Sequence, residues 1–140
     1  MVAFRGLAMS GGKVVSAILT DRAPTPAGHY SQAIVSRGHV FISGQLPIRP
    51  DGGPLAEDGF EAQARQAIEN MLEILRAAGG TPQHLVKVTA YIVGVANWAR
   101  FNAVYASMLP DACPARSVVP VPELHYGYLV EIDAIAVREP

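Results

Sequence analysis

The chain has 140 residues, half of them hydrophobic, which suits one compact domain with its own core. Its formal net charge is −1 and only 16% of its residues are charged, so the composition lacks the basic excess expected of a nucleic-acid-binding protein. The single cysteine, Cys113, excludes an intramolecular disulfide, and four widely separated histidines lack the spacing of metal ligands. We therefore expect no metal site, and the apolar runs are too short to span a bilayer.

The first part of the chain predicts a leader followed by strands. Residues 1–12 are interpreted as a disordered leader, and residues 13–140 as a single domain. An apolar run predicts a strand over 14–20, and prolines and a glycine then predict a loop over 21–28. The runs 33–35 and 39–44 flank Ser36-Arg37-Gly38, which indicates a β-hairpin.

The second part alternates helices with strands. Asp58 and Glu61 form a capping-box pattern before helical periodicity over 59–78, whose expected buried stripe is Ala64, Ile68, Met71, Leu72 and Leu75. A strand is predicted over 85–93, with Val86, Val88, Ala90 and Ile92 on its apolar face. Asn97 is expected to cap a second helix, which carries Trp98, Phe101, Tyr105 and Met108 on one stripe and ends before Pro110. Two late strands follow, one beginning at Arg116 and one over 129–137.

This order, close to ββαβαββ, indicates an α+β fold in which two amphipathic helices cover a sheet. Alternation along the last strand predicts which side chains meet the helices: Val130, Ile132, Ala134 and Ala136. The opposite face holds Leu129, Glu131, Asp133, Ile135 and Val137, and Phe41 shares it. Because this face is half apolar and no helix remains to cover it, we expect the chain to self-associate.

Two charged residues on the late strands admit two interpretations. Arg116 follows a proline-bearing turn, and Glu131 interrupts an apolar strand. They could form a structural ion pair. They could also form a small site, in which the guanidinium binds a planar anion beside a carboxylate that handles a water molecule.

Seven short motifs resemble those of one known family, in order and with near-regular spacing. The motifs are Gly28-His29-Tyr30-Ser31-Gln32, Ile42-Ser43-Gly44-Gln45-Leu46-Pro47, Gln63-Ala64-Arg65-Gln66 with Ala77-Ala78-Gly79, Val86-Lys87-Val88-Thr89, Phe101-Asn102, Pro114-Ala115-Arg116-Ser117 and 130–136. Together they resemble the Rid (YjgF-type) family of reactive-intermediate enamine/imine deaminases, which is also labelled endoribonuclease L-PSP-like.

The resemblance implies a chorismate-mutase-like fold, with a mixed β-sheet and two helices packed on one face. It also implies a cytoplasmic homotrimer whose sheets meet in a central barrel, with three clefts between subunits. The implied activity is the hydrolysis of 2-imino and enamine acids of the 2-aminoacrylate type to 2-keto acids and ammonia. The implied enzyme uses no cofactor, and the only expected partners are the imino or keto acid and further copies of the chain, with no nucleic acid and no membrane.

The resemblance also assigns roles to residues. Arg116 falls on the carboxylate-binding arginine, and Glu131 on the glutamate that holds and activates water. Pocket positions fall on Tyr30, Ser43, Gly44, Asn102 and Val118. Val118 departs from the pattern because many deaminases have a cysteine there; only its backbone N–H would be needed as a donor to the substrate carboxylate.

Two alternatives to the deaminase hypothesis stay open. One is a non-catalytic trimeric module that binds small carboxylates as a sensor or regulator, which Val118 and the variant loop over 122–127 favour. The other is a specialised C–N hydrolase of a degradation pathway with the same water activation. The absence of a basic patch gives no support to a nuclease.

Overall fold

A computed structural model of the chain describes residues 7–9, 13–53 and 59–138. Its two helices are α1 (Gly59–Ala77) and α2 (Trp98–Met108). Its strands are β1 (Leu7–Met9), β2 (Lys13–Ile18), β3 (Ala33–Ser36), β4 (His39–Gln45), β5 (Leu85–Val93), β6 (Ala115–Val121) and β7 (Val130–Val137). The short β1 lies in the segment interpreted as a leader and pairs with β2.

The strands form one mixed sheet in the order β1-β2-β3-β4-β7-β5-β6. Neighbouring strands are antiparallel except β5 and β6, which run parallel because α2 connects them as a crossover. β7, the last strand, enters the middle of the sheet between β4 and β5. The predicted mixed sheet with two helices is therefore confirmed.

The helices and one sheet face enclose the core. All five residues of the predicted α1 stripe are buried. The alternation predicted for β7 is confirmed as well, because Val130, Ile132, Ala134 and Ala136 are at most 2% exposed. In α2, Phe101 and Tyr105 are buried, whereas Trp98 is 44% exposed, so the predicted stripe is wrong at the first turn.

Two local predictions fail for identifiable reasons. Val86 is 45% exposed because the register between β5 and β7 shifts between Leu85 and Lys87, which puts Leu85 in the core instead. Asn97 precedes α2 as predicted, but its side chain does not cap the helix; its amide donates to the Val93 carbonyl at 2.9 Å. The predicted cap at Asp58 lies outside the described residues.

The sheet face opposite the helices is partly apolar and open. Phe41 is 45% exposed and Val137 40% exposed on this face, and Ile135, paired with Phe41, is half-buried. Burying such a patch against another surface would stabilise the chain, consistent with the expectation of self-association. Across the described ranges, no helix is both long enough and apolar enough to cross a membrane.

Candidate active site

A cavity of about 410 Å³ opens at the end of β4 where β7 begins. Three segments form its walls: the loop between β2 and β3, the end of β4 with the residues that follow, and the loop before β7. The lining residues are Pro24, Thr25, Ala27, Gly28, Tyr30, Ser43, Gly44, Gln45, Leu46, Ile48, His125, Tyr126 and Glu131. Four residues predicted to belong to a site, Tyr30, Ser43, Gly44 and Glu131, therefore meet here.

A bulge in β4 shapes the floor of this cavity. The register between β4 and β7 shifts between Ile42 and Gln45, so Ser43 and Gly44 leave the regular ladder. The Ser43 hydroxyl donates to the Ser31 carbonyl at 2.6 Å. A side chain at Gly44 would run into the Glu131 carboxylate, so only glycine lets this carboxylate lie against the β4 backbone.

Buried amides hold the cavity walls in place. The Gln32 side chain, 1% exposed, accepts from the Thr20 N–H at 2.7 Å and donates to the Pro24 carbonyl at 2.9 Å. Asn70 of α1 donates to the carbonyls of Leu46 and Ile48 at 3.0 and 2.8 Å. These bonds fix loop segments whose backbone groups would otherwise lack partners. Gln32 belongs to the motif over 28–32, but its anchoring role was not predicted, and neither was that of Asn70. A glutamine or asparagine at a buried position is the signal that marks such anchors.

Glu131 has the electrostatics of a proton-transfer group. Its side chain is half-buried, and desolvation raises the pKa of its carboxyl above the usual range. The nearby Asp133 carboxylate raises this pKa further, whereas His125 lowers it. A raised carboxyl pKa brings proton uptake and release closer to neutral pH, which suits general acid–base chemistry.

Aromatic side chains line the mouth of the cavity. Tyr30 is 48% exposed, and its hydroxyl accepts from the Ala27 N–H at 3.4 Å. Tyr126 is 64% exposed and contacts the ring of His125 edge-on at a centroid distance of 3.9 Å. His125 and Tyr126 therefore both line the cavity.

Arg116 lies in a second group, beside α2. Its guanidinium donates to the Asn102 side-chain oxygen at 3.0 Å. It also lies over the rings of Tyr105 and Trp98, with its central carbon 4.8 and 5.5 Å from their centroids. Val118, two residues along β6, packs against the core on the same side. Trp98, which is 44% exposed, thus contacts Arg116 instead of being fully buried with Phe101.

Within one chain, Arg116 and Glu131 point to opposite faces of the sheet. Arg116 is paired with Val88, which faces the helices, whereas Glu131 is paired with Tyr91 on the open face. The structural ion pair considered from the sequence is therefore wrong for a single chain. Within one chain, His125 rather than Arg116 is the group that lowers the Glu131 pKa.

No group of three or more histidine, cysteine, aspartate or glutamate side chains arranged to hold a metal ion occurs within residues 7–9, 13–53 and 59–138. The groups present are a carboxylate with a raised pKa, an arginine cradled by aromatic rings, and hydroxyl and amide groups. These groups can bind an anion and move protons.

The mixed sheet, with two helices on one face and two separate groups of polar side chains, defines a small α+β protein. A model of the endoribonuclease L-PSP family matches residues 20–138. The chain belongs to this family, which is also called the Rid or YjgF family, so the predicted resemblance is confirmed.

Individual relatives agree with this assignment. A RutC family protein of Pyrococcus horikoshii is 42% identical over 122 residues, covering 87% of this chain and 97% of the relative. The rat protein named 2-iminobutanoate/2-iminopropanoate deaminase is 36% identical over 128 residues, which are 91% of either chain. The crystal structure of E. coli TdcF with bound serine is similar with a TM-score of 0.82 and 36% identity, over 89% of this chain and 99% of that one.

Proposed function

We propose that this protein hydrolyses 2-imino and enamine acids to 2-keto acids and ammonia. The observation that carries the proposal is Glu131, a half-buried carboxylate with a raised pKa, which lies against Gly44 in a cavity able to admit a small molecule. The deaminase name of the rat relative supports the same reaction.

The proposed reaction needs only a base, an anion-binding group and water. Water adds to the electrophilic carbon of the protonated imine while the Glu131 carboxylate takes up a proton from that water. Glu131 then returns the proton to nitrogen, and the carbon–nitrogen bond breaks as the hydroxyl oxygen forms the carbonyl. The hydroxyl proton passes through Glu131 to the departing ammonia, so ammonium and the keto acid leave. Each turnover consumes one imine and one water, so no oxidant or reductant is required.

Arg116 is the proposed carboxylate-binding residue. Its planar guanidinium can donate two parallel hydrogen bonds to a carboxylate, a geometry that lysine does not reproduce. Asn102, Trp98 and Tyr105 orient this guanidinium. The backbone N–H of Val118 is the proposed second donor to the carboxylate, while Tyr30, Ser43 and Gly44 line the side of the pocket that holds the water.

Because Arg116 and Glu131 lie on opposite faces of the sheet, we propose that two copies of the chain complete each site. Arg116 and Asn102 of one copy would face the cavity with Glu131 of the next. A homotrimer with three such clefts fits this arrangement and buries the apolar face around Phe41. The cytoplasmic location stays a prediction.

The test of the activity uses an imine made in solution. An amino-acid oxidase produces the imine in the presence of semicarbazide, which traps it, and the protein is expected to slow trapping by hydrolysing the imine first. Arg116→Lys keeps the positive charge but cannot donate two parallel hydrogen bonds to a carboxylate. We expect it to lower kcat/KM by at least about tenfold, as for a lost charge-assisted hydrogen bond. Arg65→Lys on the exposed side of α1 is the matched control. Wild-type protein that leaves trapping unchanged would contradict the proposal.

A second candidate function is the binding of small carboxylates without turnover. Val118 in place of the cysteine favours it, and so does the bound serine in the related E. coli structure. Calorimetry with 2-keto acids separates the two candidates, because binding without hydrolysis of the corresponding imines supports the second.

A further inference from the structure

Tyr126 combines an unfavourable backbone conformation with an exposed aromatic side chain. Its φ of 61° and ψ of 14° lie in the left-handed region, which bulky L-residues rarely adopt. Its side chain is 64% exposed, so burial in the core does not offset the strain. Such strain persists where the surroundings impose it, and it is concentrated at binding and catalytic sites.

The surroundings of Tyr126 impose this conformation. Its ring meets His125 at 3.9 Å and Tyr128 at 6.3 Å between centroids, edge-on in both contacts, and Tyr128 is buried. The loop closes through the Gly127 N–H, which donates to the Leu124 carbonyl at 3.2 Å. These contacts hold the Tyr126 ring beside the cavity that it lines, with much of the ring still exposed.

The cavity beside this ring is larger than a three-carbon imino acid. Such a substrate displaces only a few waters, at about 30 Å³ each, whereas a single chain, before a second copy supplies Arg116, encloses about 410 Å³ here. Much of the remaining lining is apolar or aromatic and includes Tyr30, Leu46, Ile48 and Tyr126 itself. A cavity with these walls accommodates a second ring better than a methyl group.

We propose that Tyr126 is the specificity-determining residue of this cavity and that it selects 2-imino acids with an aromatic side chain over three-carbon ones. This inference rests on the hydrolysis proposed above. With the imine carbon beside Glu131, the substrate side chain extends toward the mouth, where Tyr126 and Tyr30 contact its ring. The selectivity arises from these contacts and not from the carboxylate or the reacting carbon, which all 2-imino acids share.

The experiment compares imines derived from phenylalanine and alanine. Wild-type protein is expected to have the higher kcat/KM for the phenylalanine-derived imine. Tyr126→Asn removes the ring but suits the left-handed backbone, and we expect it to reduce the ratio of the two kcat/KM values about fivefold, the worth of one aromatic contact. Tyr126→Phe keeps the ring and should keep the ratio.

The matched control is Arg37→Asn. Arg37 is the other described non-glycine residue at positive φ, 51°, but it lies in the β3–β4 turn at the far end of β4 from the cavity. The same replacement there should leave both kcat/KM values unchanged. A second measurement needs no variant, since phenylpyruvate should inhibit the wild-type protein at lower concentration than pyruvate.

The outcomes separate this inference from the function on which it rests. Hydrolysis of both imines with an unchanged ratio in Tyr126→Asn overturns the role of Tyr126 and leaves the activity standing. Stronger inhibition by pyruvate than by phenylpyruvate overturns the aromatic preference. If wild-type protein hydrolyses neither imine, the proposed function fails and this inference fails with it.

Discussion

At the scale of single residues, the site depends on how three ionisable side chains share a small region. Burial and Asp133 raise the pKa of Glu131, and His125 opposes them. Asp133 has a raised pKa too, mainly from burial, while a hydrogen bond from Tyr91 lowers it. The pKa of Glu131 is therefore sensitive to the charge of either neighbour, Asp133 or His125.

This arrangement predicts pH profiles of opposite sign for two variants. Proton uptake requires ionised Glu131, so activity should rise with pH through its raised pKa and be lost below it. Asp133→Asn removes a negative neighbour and lowers the Glu131 pKa, so the acidic limb of the kcat profile should move to lower pH. His125→Gln should move it to higher pH. The profiles are measured by the trapping assay over the acidic range.

The control for these profiles is Asp111→Asn, which removes an exposed carboxylate after α2 and should leave the limb in place. If the acidic limbs of Asp133→Asn and His125→Gln moved in the same direction, the assignment of Glu131 as the titrating base would be contradicted.

At the scale of elements, the loop between β2 and β3 is held by one buried side chain. Gln32 bonds to both the Thr20 N–H and the Pro24 carbonyl, and this loop carries Tyr30 and one wall of the cavity. A loop without regular structure depends on such anchors for its position.

Replacing this anchor should destabilise the protein and loosen the loop. Gln32→Leu keeps the volume but leaves buried backbone groups without partners, so the free energy of unfolding should fall by about 1–3 kcal/mol. Urea denaturation measures this change, and hydrogen exchange should show faster amide exchange over 19–31. Gln83→Leu at an exposed position is the control. Unchanged exchange in the loop would show that Gln32 does not hold it.

Sequence patterns predicted the buried residues of elements that have one buried face and one exposed face. The alternation along β7 and the stripe on α1 identify their buried residues because burial selects apolar side chains at a fixed period. The face of Arg116 could not be predicted, since Arg-Ser-Val-Val-Pro-Val alternates poorly and pairing with β5 decides which way each side chain points. Val86 was misplaced for a related reason, because no local pattern marks the register shift beside it.

For the candidate site as well, the sequence predicted which residues take part but not how they are arranged. Tyr30, Ser43, Gly44 and Glu131 were predicted as site residues from their motifs, and all four line one cavity. Motifs carry no information on which face or which copy of the chain a residue serves. The separation of Arg116 from Glu131 therefore required the three-dimensional sheet.

At the scale of the whole molecule, the two groups of site residues predict complementation between inactive variants. Arg116→Ala and Glu131→Gln should each lose activity, by about 100- to 10,000-fold for the glutamate. When the two proteins are unfolded, mixed in equal amounts and refolded, random assembly should restore about one quarter of the sites, those that combine both intact residues from different copies.

Wild-type protein refolded in the same way is the control for recovery, and each variant refolded alone should stay inactive. Sedimentation should give about three times the chain mass of 14.9 kDa. Absence of any recovery in mixed trimers would contradict a site shared between copies.

The placement of Arg116 and Glu131 on opposite faces also bears on the symmetry of assembly. If one copy supplies the first residue and the next copy the second, the contact is head-to-tail, and each chain uses two different surfaces. Whether such a contact gives a closed ring or an open filament depends only on the rotation between neighbours. A substitution that altered this rotation without weakening the contact would yield a filament in which nearly every junction is still a complete site.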